Sequence, residues 1–221
     1  MSVDGILRVP YNLPGSQYWQ SVNIYTRLSQ ERIVFLNQPL TDGVANSIVS
    51  ALLYLESEDS TKPIYLYINS LGDPVLSGMA SMVAGSVSIL AGLAIYDTLR
   101  HIKSPVYTIC LGQAVGMSAL LLSAGIKGHR ASLPHASIVL DHPRLGNQGQ
   151  ATDLQVMSRE VLAKKNLILE IFSETTGQPI DKIRQDTDRT LYMTPQQAQD
   201  YGLIDRVLTS SKLPAPSLSL T

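Results

Sequence analysis

The chain has 221 residues, 44% hydrophobic and 16% charged, with a formal net charge of −1 and no basic run; this suits one globular domain with a real core and argues against a nucleic-acid partner. Its single cysteine, Cys110, excludes a disulfide framework and fits a reducing compartment. Asp4 and Arg8 interrupt any signal-peptide pattern, and no stretch approaches the ~18 apolar residues of a membrane span, so the expected location is the cytoplasm, away from membranes.

Residues 1–20 mix Pro10, Asn12, Pro14 and Gly15 with Leu7, Val9, Tyr11, Tyr18 and Trp19. That is too broken for a helix and too apolar for a solvated tail, which leaves either a loose terminus or an arm that folds against a partner. Residues 32–36 read as a strand. Thr41 and Asp42 then cap a helix to about residue 56, with apolar Val44, Ile48, Leu52 and Leu55 on one face. Residues 64–68 form the next strand and close the first parallel βαβ unit. Residues 75–90 are small, apolar and uncharged, and 76–80 resemble 90–94, as if a helix start were written twice. They predict either a longer buried helix or an inserted lid. The helix that follows stops before Ser104-Pro105.

Residues 105–111 suit a strand buried on both faces, and Gly112 is expected to break it. Small residues (Ala114, Gly116, Ser118, Ala119) open a helix through Leu122, and residues 137–141 are another strand. A strand, a tight turn and a helix are where an α/β enzyme presents a nucleophile beside anion-stabilising N–H groups. At that point stands Gly116. Beyond a polar, glycine-rich stretch, a long helix is predicted from about 152 to 175, with Thr152 as its N-cap. Its stripe of Leu154, Met157, Val161, Ile168 and Phe172, flanked by Leu162 and Leu169, exceeds the needs of one small domain and predicts contact with another subunit. A short helix over 179–188 follows. Thr194-Pro195-Gln196-Gln197 is a capping box, Gly202 a helix stop, residues 204–208 a last strand and 209–221 a loose tail.

Five segments together carry a resemblance: Tyr65-Leu66-Tyr67-Ile68-Asn69-Ser70, Ala94-Ile95-Tyr96-Asp97-Thr98, Thr108-Ile109-Cys110-Leu111-Gly112-Gln113-Ala114, Gln148-Gly149-Gln150-Ala151-Thr152-Asp153 and Tyr201-Gly202-Leu203-Ile204-Asp205. In this order, over roughly residues 21–208, they resemble the Clp protease proteolytic subunits. The resemblance implies a crotonase/ClpP-like α/β fold of repeated βαβ units, with a protruding strand–helix handle at 143–175. Residues 1–20 become an arm like the family's axial loops and 209–221 a flexible tail. It further implies seven-membered rings that stack through the handle around a chamber fed by an AAA+ unfoldase. No cofactor is expected, and His101, His129, His135 and His142 lack ligand-like spacing, so no metal is expected either.

The family's peptidase chemistry uses a serine–histidine–aspartate triad, and its three slots fall here on Gly116, Asp141 and Thr190; the oxyanion loop is altered around Gly72. Ser118, two residues past Gly116 on a helix, is turned about 200° away, and His142 faces the opposite side of its strand from Asp141. Loss of a triad nucleophile or base costs on the order of 10⁶ in rate. The chain therefore resembles the non-catalytic ClpR-type subunits of cyanobacteria, and it is expected to be no enzyme but a member of mixed rings with an active ClpP-type paralogue. Asp188, Arg189 and Gln150 match the ring-to-ring contact. Tyr65, Tyr67, Ile109, Leu111 and Leu208 match the unfoldase-docking groove, in which two aromatic positions are replaced, by His101 and Ala131. Two other readings stay open: a crotonase-fold enzyme with Asp141 as base or a weak serine peptidase, and a homo-oligomeric chamber that traps or sorts proteins.

Overall fold

The computed structural model describes residues 7–12, 18–72, 84–141 and 151–209. The first element is a hairpin of β1 (Arg8–Asn12) and β2 (Trp19–Asn23), antiparallel in register Arg8 to Asn23, which leads into the short helix α1 (Ile24–Gln30). Residues 8–12 and 19–23 thus pair as two strands, the second of which runs across residue 20. Asn23 starts α1 by accepting the Tyr25 N–H at 2.8 Å.

Three βαβ units follow. β3 (Ile33–Leu36) leads through α2 (Asp42–Glu58) to β4 (Ile64–Ser70); β4 leads to α3 (Ala84–His101) and β5 (Val106–Val115); β5 leads to α4 (Met117–Ser123) and β6 (Arg130–Ser132). After β7 (Ser137–Leu140) come α5 (Ala151–Thr176), α6 (Ile180–Thr187), β8 (Leu191–Met193), α7 (Pro195–Tyr201) and β9 (Arg206–Val207). The main sheet runs β3-β4-β5-β6-β9, all parallel, with β7 parallel to the far half of β5 and β8 antiparallel to β7. This is the ClpP-like mixed α/β fold that the resemblance implies.

Alternation decides which face each strand buries. Along β4, Ile64, Leu66 and Ile68 are fully buried against the helices, while Tyr65 and Tyr67 are half-buried on the other side. α2 meets that core through Ala45, Ile48, Leu52 and Leu55, and full burial of each leucine is worth roughly 2–3 kcal/mol. Thr41 caps α2 by accepting the Val44 N–H, and Thr194 and Gln197 form the predicted capping box of α7. Gly202 ends α7 in the left-handed region, φ 95°, where an added Cβ would collide with the Thr176 carbonyl.

Three expectations change. Gly112 does not end β5, which continues to Val115; the β4–β5 register shifts between Ile68 and Ser70, and the Asn69 side chain accepts the Gln113 N–H in the space a Cβ at Gly112 would fill. The helix therefore opens after Gly116, not at Ala114. β6 and β8, of three residues each, carry too short a periodic signal to be anticipated. α5 begins at Ala151, one residue ahead of the expected cap. The possible lid at 75–83 and the stretch 142–150 lie outside the described residues.

Candidate functional site

The long strand β5 ends in a sharp turn. Gly116 adopts φ 55°, ψ −114°, its N–H donates to the Val139 carbonyl at 2.9 Å, and its carbonyl accepts the Leu120 N–H to begin α4. Only glycine holds such a backbone at low cost. Among the described residues a Cβ there would meet nothing within 4 Å, so on their side the turn borders open space. α4 has no side-chain cap at this end. All seven of its residues are buried, which fixes the turn against the core from below.

Gly72 flanks the same turn. Its φ is 70°, and a Cβ would run into the Val115 carbonyl oxygen, so this loop packs directly on the end of β5. Two bonds pin it: the Gly72 N–H donates to Ser70 Oγ at 3.0 Å, and the Leu40 N–H donates to the Gly72 carbonyl at 2.7 Å. From behind, Gly92 of α3 leaves room for the Met117 side chain.

On the β7 side, Asp141 is 7% exposed, and Thr190 Oγ1 donates to its carboxylate at 3.3 Å. Two of the three triad slots are therefore neighbours in space, as a carboxylate–hydroxyl pair, while the third, Gly116, offers only backbone. Ser118 is fully buried in the first turn of α4, and its hydroxyl has no hydrogen-bond partner among the described residues. His142 lies outside the described residues. Cys110 is fully buried, and desolvation pushes its thiol up to about 12 against a weaker opposing bond to Ser132, so it is no thiolate nucleophile.

The polar faces of the sheet are built elsewhere. Tyr65 pairs with Tyr107 across β4–β5 at 5.4 Å, edge to face, and Tyr107 stacks on His129 at 4.0 Å. One step along, Phe35 stacks on Tyr67 at 5.5 Å, and the same row continues through Ile109 and Ala131 to Arg206. Tyr65, Tyr67, Ile109 and Leu111 thus share one face of β4 and β5, and Leu208 follows β9 with its N–H on the Ser132 carbonyl. His101 is exposed at the end of α3, and Ala131 is buried in the row beside Ile109. Tyr107, His129, Phe35 and Tyr25 were missed as members; the period-2 alternation from Tyr107 to Leu111 already placed the first of them. Asp188 and Arg189 are exposed just past α6, and Gln150 lies outside the described residues.

A parallel βαβ sheet ending in a glycine turn, backed by a loop glycine and a buried carboxylate, defines a protein of the ClpP-like α/β class. The Clp protease family model matches residues 15–84 and 84–211, and the chain belongs to that family. It is 52% identical over 205 residues, 92% of this chain and 96% of the relative, to the ATP-dependent Clp protease proteolytic subunit 2 of Prochlorococcus marinus (strain MIT 9313). It is 49% identical over 206 residues, 93% of this chain and 96% of the relative, to the ATP-dependent Clp protease proteolytic subunit 3 of Parasynechococcus marenigrum (strain WH8102).

These relatives overturn the expectation that the chain is no enzyme. That expectation weighed three side chains counted along the sequence, whereas the match extends over almost the whole length of chains named as proteolytic subunits of a protease. Side chains at three positions can be exchanged without disturbing the turn, loop and sheet around them, so they are a poorer guide to class than the scaffold that holds them.

Proposed function

We propose that the chain is a proteolytic-core subunit of an ATP-dependent Clp protease, acting in peptide-bond hydrolysis as one member of a heptameric ring that it shares with ClpP-type paralogues in the cytoplasm. The observation that carries this reading is the near-complete coverage of a relative named as such a subunit, at 52% identity. The exposed Asp188–Arg189 pair supports stacking of one ring on another. The aromatic face around Tyr65, Tyr67, Ile109 and Leu111 supports docking of an AAA+ unfoldase, because half-buried aromatic rings are anchors that protein partners use. Among the described residues no helix is long and apolar enough to cross a membrane, which accords with a cytoplasmic place.

The test is reconstitution. Co-expressed with a ClpP-type paralogue, the chain is expected to enter one ring assembly and, with an AAA+ unfoldase and ATP, to support degradation of an unfolded protein such as casein. A chain that stays monomeric beside a fully active paralogue core contradicts the reading. Within such an assembly, replacing Tyr67 by Ala is expected to lower ATP-dependent casein degradation severalfold while leaving cleavage of short peptides unchanged, since these need no unfoldase.

A further inference from the structure

α3, α4 and α5 end close together, at His101, Ser123 and Thr176, and a cavity of about 490 Å³ opens between those ends. That volume lies in the range of small-molecule sites. Leu99, Ile102 and Val106 form its wall and are at most 8% exposed. Ile126 stands at its edge, 46% exposed, a large aliphatic side chain held in water. Lys103 and Lys127 line the mouth.

Converging helix C-termini attract cations, but other groups meet that need here. Arg100 and His101 occupy the last turn of α3, and Arg100 is tied to Glu174 at 3.2 Å. Lys103 and Lys127 lie past the helix ends, on the segments that lead to β5 and β6. Among the described residues no carboxylate comes within ion-pair distance of either ammonium group. The Lys103 segment is held from behind, since the backbone N–H groups of Lys103 and Ser104 donate to Glu56 at 3.1 and 2.9 Å. The Lys103 backbone is therefore fixed in place, and the Lys103 charge acts on Glu56. Glu174, tied to Arg100, also lines the cavity with Ser104, Ser123 and Thr175, but among the described residues neither ammonium group is held in an ion pair.

We propose that this cavity binds a small amphiphilic carboxylate. Its aliphatic tail lies against Ile102, Val106 and Ile126, and its carboxylate sits between Lys103 and Lys127. An ammonium pair alone would take any anion and an aliphatic wall alone any oil; together they select a molecule that has both parts.

The probe is octanoate, titrated calorimetrically into the full chain in its assembled state, beside 1-octanol, which has the tail alone, and inorganic phosphate, which has the charge alone. Octanoate is expected to saturate, and the two controls to bind at least about tenfold more weakly. Lys103→Gln with Lys127→Gln is expected to weaken octanoate by at least about tenfold with the apo melting temperature unchanged. Ile126→Gln, at an exposed position, tests the tail independently and is expected to weaken it severalfold. Octanoate that fails to saturate, octanol or phosphate binding as tightly as octanoate, or variants that bind octanoate like the parent would each overturn the assignment.

Discussion

The two halves of β5 treat polar groups in opposite ways. Where β5 pairs with β6, a set of polar groups is tied together. Thr108 donates to the Leu122 carbonyl at 2.7 Å, and Arg130, 5% exposed, holds Asp205 through Nε and Nη2 while Nη1 donates to the carbonyls of Ser123 and Thr175. Asp205 in turn accepts the N–H groups of Gly128 and Arg130. Where β5 pairs with β7, α4 starts without a side-chain cap; among the described residues the turn faces open space and the Ser118 hydroxyl is buried unbonded. The difference shows which end of the strand is tied down by side chains and which is held by backbone alone. A hydrogen-bonded network ties four segments together at the first end, whereas the second turns on backbone bonds at Gly116.

The comparison breaks first at Arg130. Arg130→Met leaves the Asp205 carboxylate and two carbonyls without their donor and is expected to cost about 3–5 kcal/mol, read as a lower midpoint in urea unfolding. A cost under about 1 kcal/mol would show the network to be ornamental. Burial alone would raise the Asp205 carboxyl, but the bonds from Arg130 and the backbone outweigh it and hold the group below the usual carboxylate range. Its stabilisation is therefore complete above the unfolded value near 3.9 and is lost as pH falls through the lower folded value. Asp205→Asn is expected to flatten that acid limb.

The two glycines at the turn sharpen the contrast. Gly72→Ala combines a positive φ with a backbone collision at the Val115 carbonyl and is expected to cost roughly 3 kcal/mol. Gly116→Ala carries the conformational strain alone, because its Cβ would point into open space, and is expected to cost roughly 1–2 kcal/mol. Equal losses for the two in thermal melts would mean that the turn is not open as described. The smallest effect is of opposite sign. Ser118→Ala removes an unbonded buried hydroxyl and is expected to be neutral or to stabilise by up to about 1 kcal/mol; a clear loss would show that the hydroxyl has a partner.

Much of this was legible in the chain because it is local. Thr41 and Thr194 as caps, Gly202 as a stop and the alternation of residues 64–68 are each decided by neighbours within a few positions. The grouping of Tyr65, Tyr67, Ile109 and Leu111 comes from the family resemblance rather than from a local pattern. What stayed hidden depends on partners far along the chain. The extension of β5 through Gly112 needs Asn69, and the Arg130–Asp205 network joins residues 75 positions apart. The triad slots show the same limit. Counting along the chain assigns Gly116, Asp141 and Thr190 to the slots, and the structure shows only that Thr190 bonds Asp141; three residues could not set aside the class that the whole chain defines.

The central claim is tested most directly by native mass spectrometry of the chain purified with a co-expressed ClpP-type paralogue. A ring assembly holding both chains, which falls apart when Asp188 and Arg189 are both replaced by Ala into single rings or smaller species, is the predicted result. A homogeneous paralogue ring with this chain left outside it would contradict the account.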